Sequence, residues 1–108
     1  MNWVKGRQGT GYEKLRLLVS SYFKFDVYLL KFKKGSYIDT HTDPVKEGRH
    51  FRLNIILKNA YEGGEFVCKN TIFSNSFINY FRPDISEHGV TRIDSGVRYV
   101  LSIGWIKK

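Results

Sequence analysis

The feature that most constrains the fold of this chain is a succession of short strand-like segments that ends near its last residue. Each segment is rich in aromatic or β-branched residues and is bounded by Gly, Pro, Asn or Asp, as is typical of strands joined by turns. The segments are VYLLKF (27–32), SYIDTHTD (36–43), FRLNIILK (51–58), GEFVCK (64–69), TIF (71–73), FINYF (77–81), HGVTR (88–92) and VRYVLSIGWI (97–106). Because no helical pattern separates them, we predict an all-β core of about eight antiparallel strands, the strand number of a jelly roll.

The segment that precedes these strands has a different periodicity. Apolar residues of GYEKLRLLVSSYF recur at i, i+3, i+4 and i+7, the spacing of one face of an amphipathic helix; they are Leu15, Leu18, Val19 and Tyr22. We therefore predict that residues 1–25 form a basic N-terminal segment whose single helix packs outside the sheets, and that residues 26–108 form the jelly-roll core. With 108 residues, the chain is expected to be one minimal domain.

The charge of the chain is strongly basic and unevenly distributed. The formal net charge is +8, and eight of the eighteen Lys and Arg residues lie within residues 1–34, where Glu13 and Asp26 are the acidic residues. A basic patch of this kind could steer a polyanion such as nucleic acid, or an acidic peptide. A solvated basic surface that keeps a small domain soluble explains the charge equally well.

The composition also bears on where the protein is found. No stretch approaches the roughly 20 apolar residues of a membrane span, and the opening MNWVKGRQGTGYEK lacks the apolar run of a signal peptide. The single cysteine, Cys68, cannot form an internal disulfide, which fits a reducing compartment. We therefore expect a soluble, cytoplasmic protein without a membrane partner.

The last strand segment has two unlike faces. Alternation places an apolar set on one side, which is expected to pack against a sheet or the helix: Val97, Tyr99, Leu101, Ile103 and Trp105. The other side carries Arg98, Val100, Ser102 and Gly104. If this second side faces the barrel interior, the guanidinium of Arg98 is partly enclosed and needs an anion, because burying an unpaired charge is costly.

Several polar side chains could point toward the same interior. His41 and Asp43 are two residues apart, so in a strand they project from one face. The other polar residues that strand geometry could aim inward are His88, Arg98, Ser102 and Asn54. Two imidazoles and one carboxylate are the ligand set of non-haem Fe(II) oxygenases, which leaves coordination positions open for substrates.

Each of these residues also has an ordinary structural explanation. His41 and Asp43 could hydrogen-bond to each other or cap a turn before Pro44. His88 could be a surface residue, and Arg98 could pair at the surface with Asp94 or Glu87. The metal-site interpretation is favoured because all of these explanations would have to hold at once.

The order of these motifs resembles a known family. His41-Thr-Asp43, GGEF (63–66), His88 and GVRYVLSIGW (96–105) together resemble the 2-oxoglutarate/Fe(II)-dependent oxygenases, most closely the prolyl 4-hydroxylase-like branch. The stretch FKKGSYIDTHTD is also similar to that branch where it leads into the HxD motif. The resemblance extends over residues 27–106, nearly the whole strand region.

The resemblance implies a fold, a reaction and a set of cofactors. The fold is a double-stranded β-helix, and the reaction hydroxylates a polypeptide side chain while 2-oxoglutarate is decarboxylated to succinate with O2. His41, Asp43 and His88 would bind Fe(II), and Arg98 would hold the distal carboxylate of 2-oxoglutarate. The residues expected to assist at the co-substrate are Ser102 and Asn54; many relatives carry a tyrosine near the position of Asn54.

Alternatives to this hypothesis remain open. The protein could be an oxygenase that modifies nucleic acid, or a non-catalytic nucleic-acid-binding β domain that uses exposed aromatics such as Trp3, Tyr12 and Tyr22. It could also be a cupin-like metal protein without 2-oxoglutarate, in which His50, otherwise expected in a loop at the site's mouth, is a ligand. The substrate could be a polypeptide or a small molecule, and a homodimer partner could complete a shallow site in so short a chain.

Overall fold

The computed structural model describes residues 3–6, 10–22 and 24–108. All regular secondary structure in this part of the chain consists of antiparallel strands. The strands of this described part are β1 Val4–Lys5, β2 Glu13–Ser20, β3 Phe25–Phe32, β4 Ile38–His41, β5 Arg49–Lys58, β6 Glu62–Gly63, β7 Phe66–Cys68, β8 Thr71–Ser74, β9 Ile78–Phe81, β10 His88–Val90, β11 Ile93–Ser95 and β12 Arg98–Lys107. A seven-stranded sheet has the order β1-β2-β3-β12-β5-β9-β8, a three-stranded sheet has the order β4-β10-β7, and β6 pairs with β11. The prediction of an all-β core is confirmed.

The predicted segments and the observed strands agree closely. Each of the eight segments contains a strand, namely β3, β4, β5, β7, β8, β9, β10 and β12 in chain order. The strands that were not predicted are β1, β2, β6 and β11. Among the described residues there is no helix of the length and apolar character that crossing a membrane requires.

The predicted N-terminal helix is wrong, because its residues form strand β2. This strand pairs with β3 along its length, and the register shifts between Arg16 and Leu18, so that Leu17 is an extra, bulged residue. Leu15 and Leu18 therefore lie on the same face of a strand although they are three residues apart, a spacing that imitates a helix. Tyr22 lies beyond the strand and is 86% exposed, and Phe23 lies outside the described residues.

The hydrophobic core lies between the large sheet and the smaller sheets. Tyr12 is buried in this core, and its ring stacks on Phe32 with the centroids 5.3 Å apart. The buried residues of this core are Tyr12, Phe32, Val90, Ile93 and Val100. Since Phe32 and Val100 are on the large sheet and Val90 is on the small one, the core fixes the two sheets face to face.

Strand β12 has the two faces that the sequence predicts. Arg98, Val100, Ser102 and Gly104 are buried, and the residues between them are partly exposed. The predicted enclosure of Arg98 is confirmed, with 3% of its surface exposed. The apolar face was expected to pack against a sheet or a helix. It is instead left uncovered by the described elements, because the smaller sheets lie on the other side.

Candidate metal centre

Pairing of two strands of the small sheet brings the histidines of the site together. His41 is the last residue of β4 and His88 is the first residue of β10, and their Cα atoms are direct partners in the antiparallel ladder. Asp43 follows β4 by two residues, and its backbone N–H donates to the carbonyl of Pro83 at 2.7 Å. That hydrogen bond ties the segment after β4 to the segment before β10, so the carboxylate is held beside both rings.

The donor atoms of these three side chains converge. His41 Nε2 is 3.3 Å from Asp43 Oδ1, and His88 Nε2 is 3.3 Å from Asp43 Oδ2. One ligand atom from each residue lies within 4.8 Å of the others. Ligands that bind a transition metal at about 2.1 Å lie roughly 3 to 4 Å apart in tetrahedral or octahedral geometry. The spacing therefore fits one divalent ion.

A hydrogen bond at Nδ1 of each ring leaves Nε2 of the two histidines available as a metal ligand. His41 Nδ1 is 2.8 Å from the carbonyl of Asp39, and His88 Nδ1 is 2.9 Å from the carbonyl of Ser86. Because a carbonyl can only accept, the proton of each neutral ring belongs on Nδ1. Each Nε2 then presents its lone pair toward Asp43, the arrangement seen when histidine binds a metal.

The metal centre opens into a cavity of about 460 Å³, which we call the metal cavity. Its floor is the inner face of the large sheet and includes the phenyl ring of Phe81, 5.0 Å from the His88 ring. The residues predicted for the site all line it: His41, Asp43, Asn54, His88, Arg98 and Ser102.

Arg98 is a buried cation in this cavity. Its guanidinium lies over the Phe32 ring, 5.3 Å from the centroid. Its Nε has no hydrogen-bond partner, and within the described part of the chain no carboxylate forms an ion pair with it, neither Asp94 nor Glu87. The surface ion pair considered for Arg98 is therefore wrong. Burial leaves this charge poorly solvated and lowers the pKa of Arg98 to about 10.

Sequence reasoning missed a second inward arginine, Arg52. Its Nη2 donates to both carboxylate oxygens of Asp26, at 2.9 and 3.0 Å, and its Nη1 donates to Ser102 Oγ at 2.8 Å. Ser102 Oγ in turn donates to Asn54 Oδ1 at 2.6 Å. Ser102 and Asn54 thus lie in the metal cavity, but they bond to each other. Gly104 could have indicated the inward Arg52, since a glycine inside a strand often marks a close approach by another group.

His50 lies on β5, so its expected placement in a loop is wrong. It lines the metal cavity, with Nε2 3.4 Å from Arg52 Nη2 and Nδ1 buried without a hydrogen-bond partner. Burial, and then the neighbouring charge of Arg52, lowers the pKa of His50. The cluster of possible ligands comprises His41, Asp43 and His88 and does not include His50.

No family model and no curated protein matches this sequence. Solved structures share its fold. The Schizosaccharomyces pombe Cnp3 cupin domain aligns over 99% of this chain and 69% of its own, with TM-score 0.69 and 10% identity. KdgF from Halomonas sp. aligns over 100% of this chain and 88% of its own, with TM-score 0.65 and 15% identity.

A third similar structure is that of a hydroxylase. The viral collagen prolyl hydroxylase vCPH from Paramecium Bursaria Chlorella virus-1, solved as a 2OG complex, aligns over 94% of this chain and 84% of its own, with TM-score 0.65 and 15% identity. Identities this low establish the architecture and not the activity. The chain therefore has the jelly-roll fold that cupins and this hydroxylase share.

Proposed function

We propose that this chain is an Fe(II)- and 2-oxoglutarate-dependent dioxygenase that hydroxylates a polypeptide side chain and converts 2-oxoglutarate to succinate. The observation that carries the proposal is the buried Arg98, which lacks a carboxylate partner within the described chain and lines the same cavity as the metal centre. A buried guanidinium requires an anion, and the strongest pairing for its planar fork is a bidentate carboxylate.

The two arginines of the metal cavity support different roles. Arg52 is already neutralised by Asp26, so it stabilises the floor of the cavity and needs no ligand. Arg98 has no such counterion among the described residues. A dicarboxylate with one end at the metal centre and the other at Arg98 would satisfy both groups, and 2-oxoglutarate has that form. A cupin-like metal protein without a co-substrate leaves the charge of Arg98 unexplained.

Each residue has a definable task in this chemistry. His41, Asp43 and His88 would hold Fe(II), which when bound supplies the activation of O2 and leaves coordination positions open for the reactants. The carbonyls of Asp39 and Ser86 keep the Nδ1 protons in place and the rings oriented. Phe81 packs against the His88 ring and limits the access of water to the centre.

A groove beside the metal centre supports a polypeptide substrate. This side groove has a volume of about 370 Å³ and shares Tyr28, Asp43 and His50 with the metal cavity. Apolar residues make up much of its remaining lining, and they are Val19, Phe25, Pro44, Val45, Trp105 and Ile106. A groove that is apolar and continuous with the metal cavity fits the side chain and flanking residues of a peptide.

A nucleic-acid substrate is the second candidate, and it rests on Lys14. Lys14 lines the metal cavity with its Nζ 5.0 Å from the Tyr28 ring centroid. The ammonium thus covers a ring face on which a base could have stacked. Of the aromatics considered for base stacking, Tyr12 is buried in the core against Phe32. Trp3 and Tyr22 are exposed, at 38% and 86%, but neither lines the metal cavity, so the aromatics at the cavity favour a peptide over a base.

Titration of 2-oxoglutarate into the Mn(II)-loaded protein tests the proposal. Binding that depends on Mn(II), together with succinate formation when Fe(II) replaces Mn(II), is the expected result. The Asp43→Asn variant should lose both, while an Arg92→Gln variant, altered at an exposed arginine, should keep both. Metal binding without any affinity for 2-oxoglutarate would refute the dioxygenase and favour the cupin-like alternative.

The substrate class can be tested separately through charge. Neutralising Lys5 and Arg16 to glutamine, with Lys14 of the metal cavity left in place, should leave succinate formation in the absence of substrate unchanged. If the substrate is a peptide of low charge, its affinity should change little, whereas a nucleic acid would bind more weakly and with a flatter dependence on salt. Arg7, the remaining basic residue near the start of the chain, lies outside the described residues.

A further inference from the structure

The face of the large sheet that points away from the metal cavity is apolar across its middle. The strand register places side chains of neighbouring strands in rows on this outer face. One row is Leu15, Leu29, Leu101, Ile55 and Ile78, the next is Leu18, Val27, Ile103, Leu53, Tyr80 and Phe73, and a third contains Phe25, Trp105 and Phe51. These three rows define what we call the outer face.

Aromatic rings flatten one end of the outer face. Trp105 stacks on Phe51 with centroids 6.1 Å apart and rings inclined by 15°, and on Tyr80 with centroids 5.8 Å apart and rings inclined by 25°. Most residues of the three rows are only partly buried by their neighbours within the sheet. The result is a continuous apolar surface.

This surface is unusual for a sheet face that meets water. An antiparallel sheet with one solvated face normally alternates apolar and polar residues, with the polar set outward. Here the described strands have apolar residues outward and the polar site inward. Contiguous apolar patches of more than a few hundred Å² mark interaction surfaces in soluble proteins. The outer face therefore has the character of an interface.

The exposed surface area of the chain is larger than is typical of a folded monomer of its mass. The chain exposes 6880 Å², whereas a folded monomer of 12.6 kDa typically exposes about 6200 Å². The difference of about 700 Å² is close to the roughly 800 Å² that each partner buries in a standard-size interface. One partner of similar size, docked on the outer face, would account for it.

The distribution of charge agrees with self-association. The three apolar rows contain no ionisable group except the Tyr80 phenol, and the charged residues lie at the ends of the strands, where Lys31 and Lys58 flank one end and Arg49 and Lys107 flank the other. A second copy docked face to face would bury the first two rows without burying a charge. In the third row the Arg82 guanidinium lies over the Phe51 ring, 5.6 Å from its centroid, and is paired with Asp84. The basic ends would stay at the solvated rim.

We propose that the outer face is a homodimer interface, in which two copies of the large sheet pack face to face around a twofold axis. Stacked sheets pack about 10 Å apart, and their twist gives an angle near 30° between the strands. The metal cavity lies on the opposite side of each sheet, so the dimer would leave it open, whereas Phe25 and Trp105 of the third row also line the side groove.

Analytical ultracentrifugation of the wild-type chain over a range of concentrations tests the interface. A mass that rises from monomer to dimer with concentration is expected, and a monomer at every concentration would overturn the proposal. Added salt should strengthen the dimer, because it screens repulsion between two protomers of charge +8. Dissociation by salt would instead mean that charge pairs hold the copies together, and would overturn an apolar interface.

A substitution at the centre of the middle row locates the contact. Ile103→Lys should weaken the dimer at least about 100-fold, because two unpaired ammonium groups would be buried. Ile85→Lys is the matched control, since Ile85 is 65% exposed and lies outside the three rows, and it should dimerise like the wild type. An Ile103→Lys protein that still dimerises with wild-type affinity would overturn the proposal.

If the Ile103→Lys protein fails to fold, a measurement on the wild type still tests the proposal. The methyl resonances of Ile103 and Leu101 should shift on dilution, while those of Ile93 in the core should not. Shifts confined to other surfaces would place the contact elsewhere and overturn the proposal.

Discussion

Replacing Arg98 with methionine should stabilise the ligand-free protein and remove its response to 2-oxoglutarate. Arg98 is 3% exposed, and burial lowers its pKa well below the usual range of arginine, to about 10. That difference corresponds to a penalty on the order of 3 kcal/mol for the charged form. Methionine has a similar length and carries no charge, so part of the penalty should disappear from the free energy of unfolding.

The expected gain in stability is smaller than the penalty. The guanidinium also contacts the Phe32 ring, and methionine replaces that contact only in part. Apolar replacement of buried ionic groups typically stabilises proteins by about 1 to 4 kcal/mol. A gain of about 2 kcal/mol would raise the melting temperature by roughly 10 °C in a domain of this size.

The pH dependence of this gain follows from the sign of the pKa shift. The folded pKa of Arg98, about 10, lies below the unfolded value, so the unfolded state binds more protons at pH values between the folded pKa and the higher unfolded one. The penalty is therefore fully present below the folded pKa and is relieved as the pH rises through that window. At neutral pH, wild type and Arg98→Met should differ by the full amount.

Thermal denaturation with and without 2-oxoglutarate, in the presence of Mn(II), measures both effects. The wild type should gain about 2.7 kcal/mol when the ligand is at 100 times its dissociation constant. Arg98→Met should lose about 2 to 5 kcal/mol of binding free energy, roughly 30-fold or more in affinity. An Arg92→Met control should respond like the wild type. Lower stability of ligand-free Arg98→Met, together with an unchanged response to 2-oxoglutarate, would refute the reasoning and make Arg98 a structural residue.

Three further predictions concern the floor and ligands of the site. Asp43→Asn should abolish Mn(II) binding measured by electron paramagnetic resonance, with an unchanged far-ultraviolet spectrum; wild-type affinity would exclude Asp43 as a ligand. Gly104→Val should lower the free energy of unfolding by about 1 to 3 kcal/mol, because a Cβ there would lie 2.1 Å from Arg52 Nη2 and displace that guanidinium from its ion pair; an unchanged midpoint in urea would contradict this. His50→Gln should reduce the loss of stability of the metal-free protein as the pH falls below 6.5, because the lowered folded pKa of His50 means that the unfolded state takes up the proton first; identical acid profiles would rule this out.

Local pattern was sufficient for most of the strands and misleading for one. The eight predicted segments are rich in aromatic or β-branched residues, and each contains a strand. The segment that contains β2 has a helical spacing because its register shifts at Leu17, which brings Leu15 and Leu18 to one face. A bulge is decided by pairing with the neighbouring strand, here β3, and the β2 sequence alone carries no sign of it.

The candidate site was likewise predicted partly from local pattern, while the rest of it depends on tertiary pairing. The spacing of His41 and Asp43 predicts that the two side chains point together, and the structure agrees. His88 is 45 residues further along the chain than Asp43, and its place beside them depends on the pairing of β4 with β10. The family resemblance supplied that association, since contacts at such a separation have no local periodicity to reveal them.

By itself, the sequence determined the strand character of the chain, the residue types of the site and the alternation that turns Arg98 inward and Trp105 outward. It could do so because the side-chain direction in a strand depends on the strand's own period of two. The tertiary structure alone decided that Arg52 has Asp26 as its counterion whereas Arg98 lacks one within the described chain, and that the outer face is left uncovered. Counterions and covering surfaces come from segments far apart in the chain, so they exist only once the sheets have formed.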